Sequence, residues 1–181
     1  MIIGEGIRLR GIDRVDLPQF VTWLNDPEVR RFLSLYAPLS NAQEDKWFEN
    51  LSALSTAEQP LVIQVLENEN WVTVGNISFL NVDQQSRNAE LGLFIGAKDH
   101  WDQGIGTRAI SLMLDYGFFT LNFHRIYLRV KEGNSRGVRC YEKVGFKHEG
   151  RMREAVYLDG KYVDMIWMGI LRDEWRGIDR V

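Results

Sequence analysis

The run Trp101-Asp102-Gln103-Gly104-Ile105-Gly106-Thr107-Arg108 sets two glycines at the start of a segment with helical periodicity. The first four N–H groups of a helix have no partner inside it, and the aligned peptide dipoles add roughly +0.5 charge at that end. Glycine lets the backbone come close to phosphate oxygens, so the amides of Gln103, Gly104, Ile105, Gly106 and Thr107 predict an anion cradle for a phosphorylated cofactor. Further along stands Asn134-Ser135-Arg136-Gly137-Val138-Arg139-Cys140-Tyr141-Glu142-Lys143-Val144-Gly145-Phe146. Asn134 and Tyr141 lie seven residues apart, two helical turns, so an amide and a phenol project from nearly the same face. Upstream, Glu90, Gly92 and Phe94 alternate onto one face of a strand, which puts a carboxylate on the element leading into the glycine loop.

These residues need a scaffold, and the chain predicts one domain over 1–175 with a short tail at 176–181. A chain of 181 residues with 45% apolar content can bury one substantial core. Neither a repeat nor a Pro/Gly/Ser linker divides it. Residues 7–12 alternate like a short strand, and Asp13 or Asp16 then caps a helix carrying Leu17, Phe20, Val21 and Leu24. Asn25-Asp26-Pro27 breaks that helix, residues 28–33 suit a second, and Ser40 with Gln43 forms a capping box for a third. These helices and their loops read as a lid. Residues 61–66 and 71–80 read as a hairpin, 89–95 as a fourth strand, and 125–131 as a strand after the long helix that the glycine loop opens. Asn134 caps a short helix ending near Gly145, and 146–157 pairs through Asp159-Gly160 with 161–171. The order is α/β with a mixed sheet.

Charge and composition narrow the classes of function. A formal charge of -3 disfavours broad binding to a phosphate backbone, and the six Trp read as core and lid packing without a basic stripe beside them. No nucleic-acid partner is expected. One cysteine, Cys140, precludes an intrachain disulfide, and the absence of a signal-like opening or a long apolar run predicts a cytoplasmic protein without a membrane segment. His100, His124 and His148 lack the paired spacing of metal ligands, so no metal is expected.

With these residues in place, the chain resembles the GNAT superfamily of acetyl-CoA-dependent N-acetyltransferases. The resemblance rests on Trp23-Leu24-Asn25-Asp26-Pro27-Glu28-Val29, the Gly104-Ile105-Gly106-Thr107 loop, Asn134 with Tyr141-Glu142-Lys143-Val144-Gly145-Phe146, and the closing Asp159-Gly160-Lys161-Tyr162-Val163-Asp164. Within the superfamily it is most similar to the RimJ/RimL branch of ribosomal-protein N-terminal acetyltransferases, and Leu114-Asp115-Tyr116 with Tyr127-Leu128 is similar to spermidine N-acetyltransferases. The fold so implied is a mixed, mostly antiparallel central sheet with flanking helices and a splay after the fourth strand.

The resemblance also implies roles. Leu93, Phe94 and Ile95 would hold the pantetheine arm by main-chain bonds, the 103–107 amides the pyrophosphate, and Asn134 the arm again. Tyr141 would sit near the thioester sulfur as general acid while an amine attacks directly in a ternary complex. Glu90 is the candidate base, acting through water, with pairing to a neighbour such as Arg87 as its structural alternative. The implied acceptor is a protein or peptide N-terminal α-amine; spermidine or another small amine is the alternative, and a noncatalytic acetyl-CoA sensor a third. A polyamine predicts a closed acidic pocket and a protein end predicts an open groove between the lid and the closing hairpin. A homodimer is compatible with this branch.

Two features depart from the family pattern. Trp101 stands where many superfamily members carry Gln or Arg, as it often does in the RimJ/RimL branch, and Asp102 where that branch often has glycine. Arg108, Arg136 and Arg139 would offset that carboxylate, although solvated surface is the expectation for each. Gly104-Ile105-Gly106-Thr107-Arg108-Ala109 also fits a G-x-G-x-x-A dinucleotide fingerprint, but residues 97–103 separate it from the preceding strand, which such a fingerprint does not allow.

Overall fold

In a computed structural model of the chain, which describes residues 1–178, eight strands form one sheet in the order β1-β2-β3-β4-β5-β6-β8-β7. They are β1 (Ile2–Gly4), β2 (Ile7–Gly11), β3 (Leu61–Glu67), β4 (Asn70–Asp83), β5 (Asn88–Ile95), β6 (Arg125–Lys131), β7 (Lys147–Leu158) and β8 (Lys161–Leu171). Five α-helices accompany them: α1 (Leu17–Asn25), α2 (Pro27–Arg30), α3 (Asn41–Asn50), α4 (Ile105–Asp115) and α5 (Ser135–Val144). The mixed, mostly antiparallel sheet is the expected one. The strand expected as fourth is the fifth, because Ile2–Gly4 pairs ahead of it with Ile7–Gly11. The tail expected at 176–181 is described only to residue 178, and 179–181 lie outside the described residues.

Every strand pair is antiparallel except β5 with β6. That parallel ladder holds only Asn88↔Arg125, Ala89↔Ile126 and Glu90↔Tyr127. Beyond it, β5 runs on to Ile95 and β6 to Lys131 without pairing to each other, so the sheet splays into a gap. Main-chain groups facing that gap have no ladder partner, and an extended amide-bearing ligand can supply one.

The two faces of the sheet are covered by different helices. On one side Ile105, Ala109, Ile110, Leu112 and Met113 of α4 pack at helical spacing against Leu9, Ile63, Ile77 and Phe79. Ile126, Leu128 and Val130 of β6 join this core, so alternation turns Tyr127, Arg129 and Lys131 to the opposite face. On that face Phe20 and Trp23 of α1 meet Phe94 edge-on, with ring centroids 5.9 Å and 6.5 Å away. The expected capping box forms at Ser40, whose Oγ accepts from Gln43 N at 3.2 Å while Gln43 Oε1 accepts from Ser40 N at 2.9 Å. Asp16 instead accepts two hydrogen bonds from Arg10, and Asp13 caps the turn before α1.

Candidate active site

The glycine loop forms the predicted helix start. Gly104 is the N-cap of α4 at φ +74°, a left-handed conformation that costs an L side chain and not glycine. Gly106 sits where a Cβ would lie 3.3 Å from Cys140 Sγ, so its lack of a side chain lets α4 and α5 approach. No side chain caps α4, which leaves its first amides directed at the cavity beside them.

That cavity, of about 300 Å³, opens at the splay. Leu93, Phe94 and Ile95 line it from β5, Gly104 to Thr107 from the loop, and Asn134, Cys140 and Tyr141 from α5. Asn134 Oδ1 caps α5 by accepting from Gly137 N at 3.0 Å, so its amide nitrogen keeps its donors for the cavity. The Ile95 carbonyl already accepts from Trp101 Nε1 at 2.8 Å, leaving Leu93 and Phe94 as the freer main-chain partners.

Tyr141 is half-buried in the cavity wall, its ring edge-on to Phe146 at 6.1 Å. Its hydroxyl has no hydrogen-bond partner among the described residues. Burial, with Cys140 alongside, pushes the phenol well above its ordinary pKa, so it stays protonated at any working pH. Burial also pushes the Cys140 thiol up, opposed by its contact with the Thr107 hydroxyl at 3.4 Å. A thiol held protonated is a poor nucleophile, which agrees with direct transfer.

Two expected site residues do not reach the cavity wall. Glu90 is buried and accepts from Arg129 at 2.8 Å and 3.0 Å and from Asn81 at 2.8 Å. Both carboxylate oxygens are thus occupied, and the pair braces β5 to β6 where their ladder stops; the partner is Arg129, not Arg87. Gln103 turns its side chain back onto the Asp99 carbonyl at 2.7 Å.

The structure adds two residues that sequence reasoning left on the surface, Arg136 and Arg139, and one to which it gave no role, Lys143. Arg136, Arg139 and Lys143 line the cavity from α5, and none has a carboxylate within ion-pair distance among the described residues. Their i, i+3, i+7 spacing was the available signal, since it puts three cations on one helical face. Arg136 also lies over the Trp101 ring, 3.7 Å from its centroid. Arg108 faces elsewhere, donating to the Glu5 carbonyl. Asp102 does line the cavity, at a positive φ of 59°. Glycine-loop amides, free Asn134 donors, a main-chain gap and three unpaired cations suit a long ligand with amides at one end and phosphates at the other.

Glu28, Val29, Phe32 and Leu33 close the other end of the cavity. Glu28 is the carboxylate there, and Lys98 holds it at 3.2 Å while pairing with Asp26 at 2.7 Å. Among the described residues no cluster of His, Cys, Asp and Glu could hold a metal, and no helix is long and apolar enough to cross a membrane.

Known proteins are similar to this chain in sequence and fold. The acetyltransferase (GNAT) domain family matches residues 7–147. The spermidine N(1)-acetyltransferase of Vibrio cholerae is 30% identical over 171 residues, which cover 93% of this chain and 95% of that one. A putative ribosomal N-acetyltransferase, YdaF of Bacillus subtilis, is 35% identical over 103 residues, 57% of this chain and 56% of the relative. Among solved structures, the spermidine N-acetyltransferase of Vibrio cholerae in complex with CoA and spermine superposes with a TM-score of 0.85 at 27% identity, covering 94% of this chain and 98% of that one. The cavity built above suits acetyl-CoA, and the chain belongs to the GNAT family as an acetyl-CoA-dependent N-acetyltransferase.

Proposed function

We propose that the acceptor is a primary α-amine at the end of a peptide or protein, and that acetyl passes to it directly from acetyl-CoA. The observation that carries this reading is that, among the described residues, no free carboxylate stands at the acceptor end. Glu28 is paired with Lys98, Glu90 lies behind the wall bound to Arg129, and Val29, Phe32, Leu33 and Phe94 line this end. An α-amine titrates near pH 8 and reaches its neutral form without a strong base, whereas a polyamine nitrogen titrates about two units higher. A polyamine also brings further ammonium groups that need carboxylate partners. Arg31 joins the lid to Asp159 at the β7–β8 turn.

In this reading the neutral amine attacks the thioester carbonyl, a β5 main-chain N–H at the splay stabilises the oxyanion, and the Tyr141 hydroxyl donates to the departing sulfur. A thiolate of pKa about 8.5 is a weaker base than the tyrosinate that full transfer would create, given the raised phenol. Tyr141 therefore acts chiefly as a hydrogen-bond donor, and the thiolate takes its proton from solvent or the product ammonium.

The second reading, a spermidine-type acceptor, is favoured by the near full-length likeness to spermidine N-acetyltransferases of Vibrio cholerae and Escherichia coli. The pH profile separates the two. With no enzymic base, kcat/KM for a peptide beginning with Ala should rise along the amine's own titration, half-maximal near pH 8, and level off above about pH 9. Faster turnover of spermidine than of any peptide at equal concentration would establish the second reading. Acetyl-CoA binding without turnover of either amine would point to a sensor.

A further inference from the structure

Lys131 is buried, 3% exposed, and pairs with no carboxylate among the described residues. It lies at the end of β6, on the splayed side facing the lid, and its Nζ donates to the Leu33 carbonyl at 2.7 Å. Tyr36 of the same lid segment covers it, with the ammonium 5.5 Å from the ring centroid. Leu33 and its neighbour Phe32 are among the residues that wall the acceptor end of the cavity. We propose that Lys131 is a positioning residue for acetyl transfer: it fixes the lid segment 32–36 over the acceptor amine and thereby sets affinity for the amine and not for acetyl-CoA. The amine half of this proposal rests on the reading above, that the acceptor enters under the lid.

Three observations carry it. First, burial pushes the Lys131 pKa down, opposed by the charge of Asp159, which makes no ion pair with it; a buried ammonium whose one hydrogen-bond partner is a carbonyl costs stability, so it serves something else. Second, the bond joins residues 98 positions apart and acts on a loop whose other polar ties to the body are few. Asn25 exchanges two hydrogen bonds with Leu39 at the loop's far end, and Arg31 pairs with Asp159 at 2.8 Å. Both members of the Arg31 pair are more than half exposed, and such pairs contribute little. A hydrogen bond from a charged donor under a buried wall is stronger. Third, the Lys131 side chain makes no hydrogen bond to α4, α5 or β5, which build the cofactor cradle; only its main-chain carbonyl meets that cradle, accepting from Asn134 N at 3.1 Å, and a substitution of the side chain leaves this bond in place.

The test compares Lys131→Met, Lys131→Arg and Arg31→Ala. With acetyl-CoA bound, hydrogen exchange over 32–36 should quicken roughly tenfold or more in Lys131→Met, given the strength of a charge-assisted bond, and less than about threefold in Arg31→Ala. For a peptide beginning with Ala, Lys131→Met should raise KM roughly tenfold, with kcat and acetyl-CoA affinity close to wild type. Lys131→Arg keeps a donor and should recover part of the loss. Thermal stability of Lys131→Met should hold or rise, which separates lid release from general damage. Unchanged exchange over 32–36, or a parallel fall in kcat and acetyl-CoA affinity, would overturn the proposal. Should wild type not turn over the peptide, the acceptor reading fails, and the exchange contrast still decides whether Lys131 holds the lid.

Discussion

Replacing Tyr141 with Phe removes one oxygen atom from the cavity wall and leaves the ring where it packs on Phe146. The hydroxyl has no hydrogen-bond partner among the described residues, so stability should change by less than about 1 kcal/mol, in contrast to the loss of a buried hydrogen bond. Acetyl-CoA affinity should stay within about twofold, because the glycine loop, Asn134 and the α5 cations are untouched. Turnover is where the change should appear. Positioned proton donors contribute about 10² to 10⁴ in rate. The raised phenol pKa makes complete transfer to a thiolate uphill, so the low end applies and kcat should fall roughly 100-fold. The assay is thiol release under saturating acetyl-CoA, with calorimetric binding measured on the same preparation. A kcat within about threefold of wild type would remove Tyr141 as the donor to sulfur, since that is under 1 kcal/mol of barrier. A matched loss of acetyl-CoA affinity would assign it to binding instead.

Other substitutions follow from the same geometry. Glu90→Gln leaves Arg129 without its carboxylate and should lower thermal stability by about 1–3 kcal/mol, while kcat/KM holds within a few-fold; a collapse of turnover with loss of the acid limb of the pH profile would restore Glu90 as the base. Arg136→Ala with Arg139→Ala should weaken acetyl-CoA binding about tenfold at low salt and flatten its salt dependence, as measured by calorimetric titration at two ionic strengths. His100 meets Glu67 at 2.6 Å and Asp99 at 3.0 Å; burial opposes its charge, and the two carboxylates outweigh it, raising its pKa. Its folded pKa lies above the unfolded value, so its contribution is complete below about pH 6.5 and is lost as pH rises through the folded pKa. Melting temperature across that window should therefore fall in wild type and lose this component in His100→Gln.

Local signals carried much of this architecture. The glycine loop, the Ser40 capping box, the Asn134 cap and the closing hairpin each depend on residues within a few positions of one another, and each stands where spacing put it. β1 escaped notice because three residues ending in glycine show no alternation. Tyr116 and Phe119 keep the 3.6-residue period of the long helix in the sequence, so the change to a five-residue π-helical turn at Tyr116–Thr120 was not visible there. The harder misses were long-range. Arg129 reaches Glu90 across 39 positions and a parallel ladder, whereas sequence adjacency suggested Arg87. The Lys131 tie to Leu33 exists only because β6 splays from β5 beneath the lid. Arg136, Arg139 and Lys143 were legible as one helical face, yet nothing local shows that this face borders a cavity.

The most direct test of the account is thiol release from acetyl-CoA by the purified protein, with peptides beginning Ala or Ser set against spermidine at equal concentration. Release that depends on the peptide and exceeds that with spermidine is the predicted result. Release driven by spermidine alone would contradict the assignment of an α-amine acceptor.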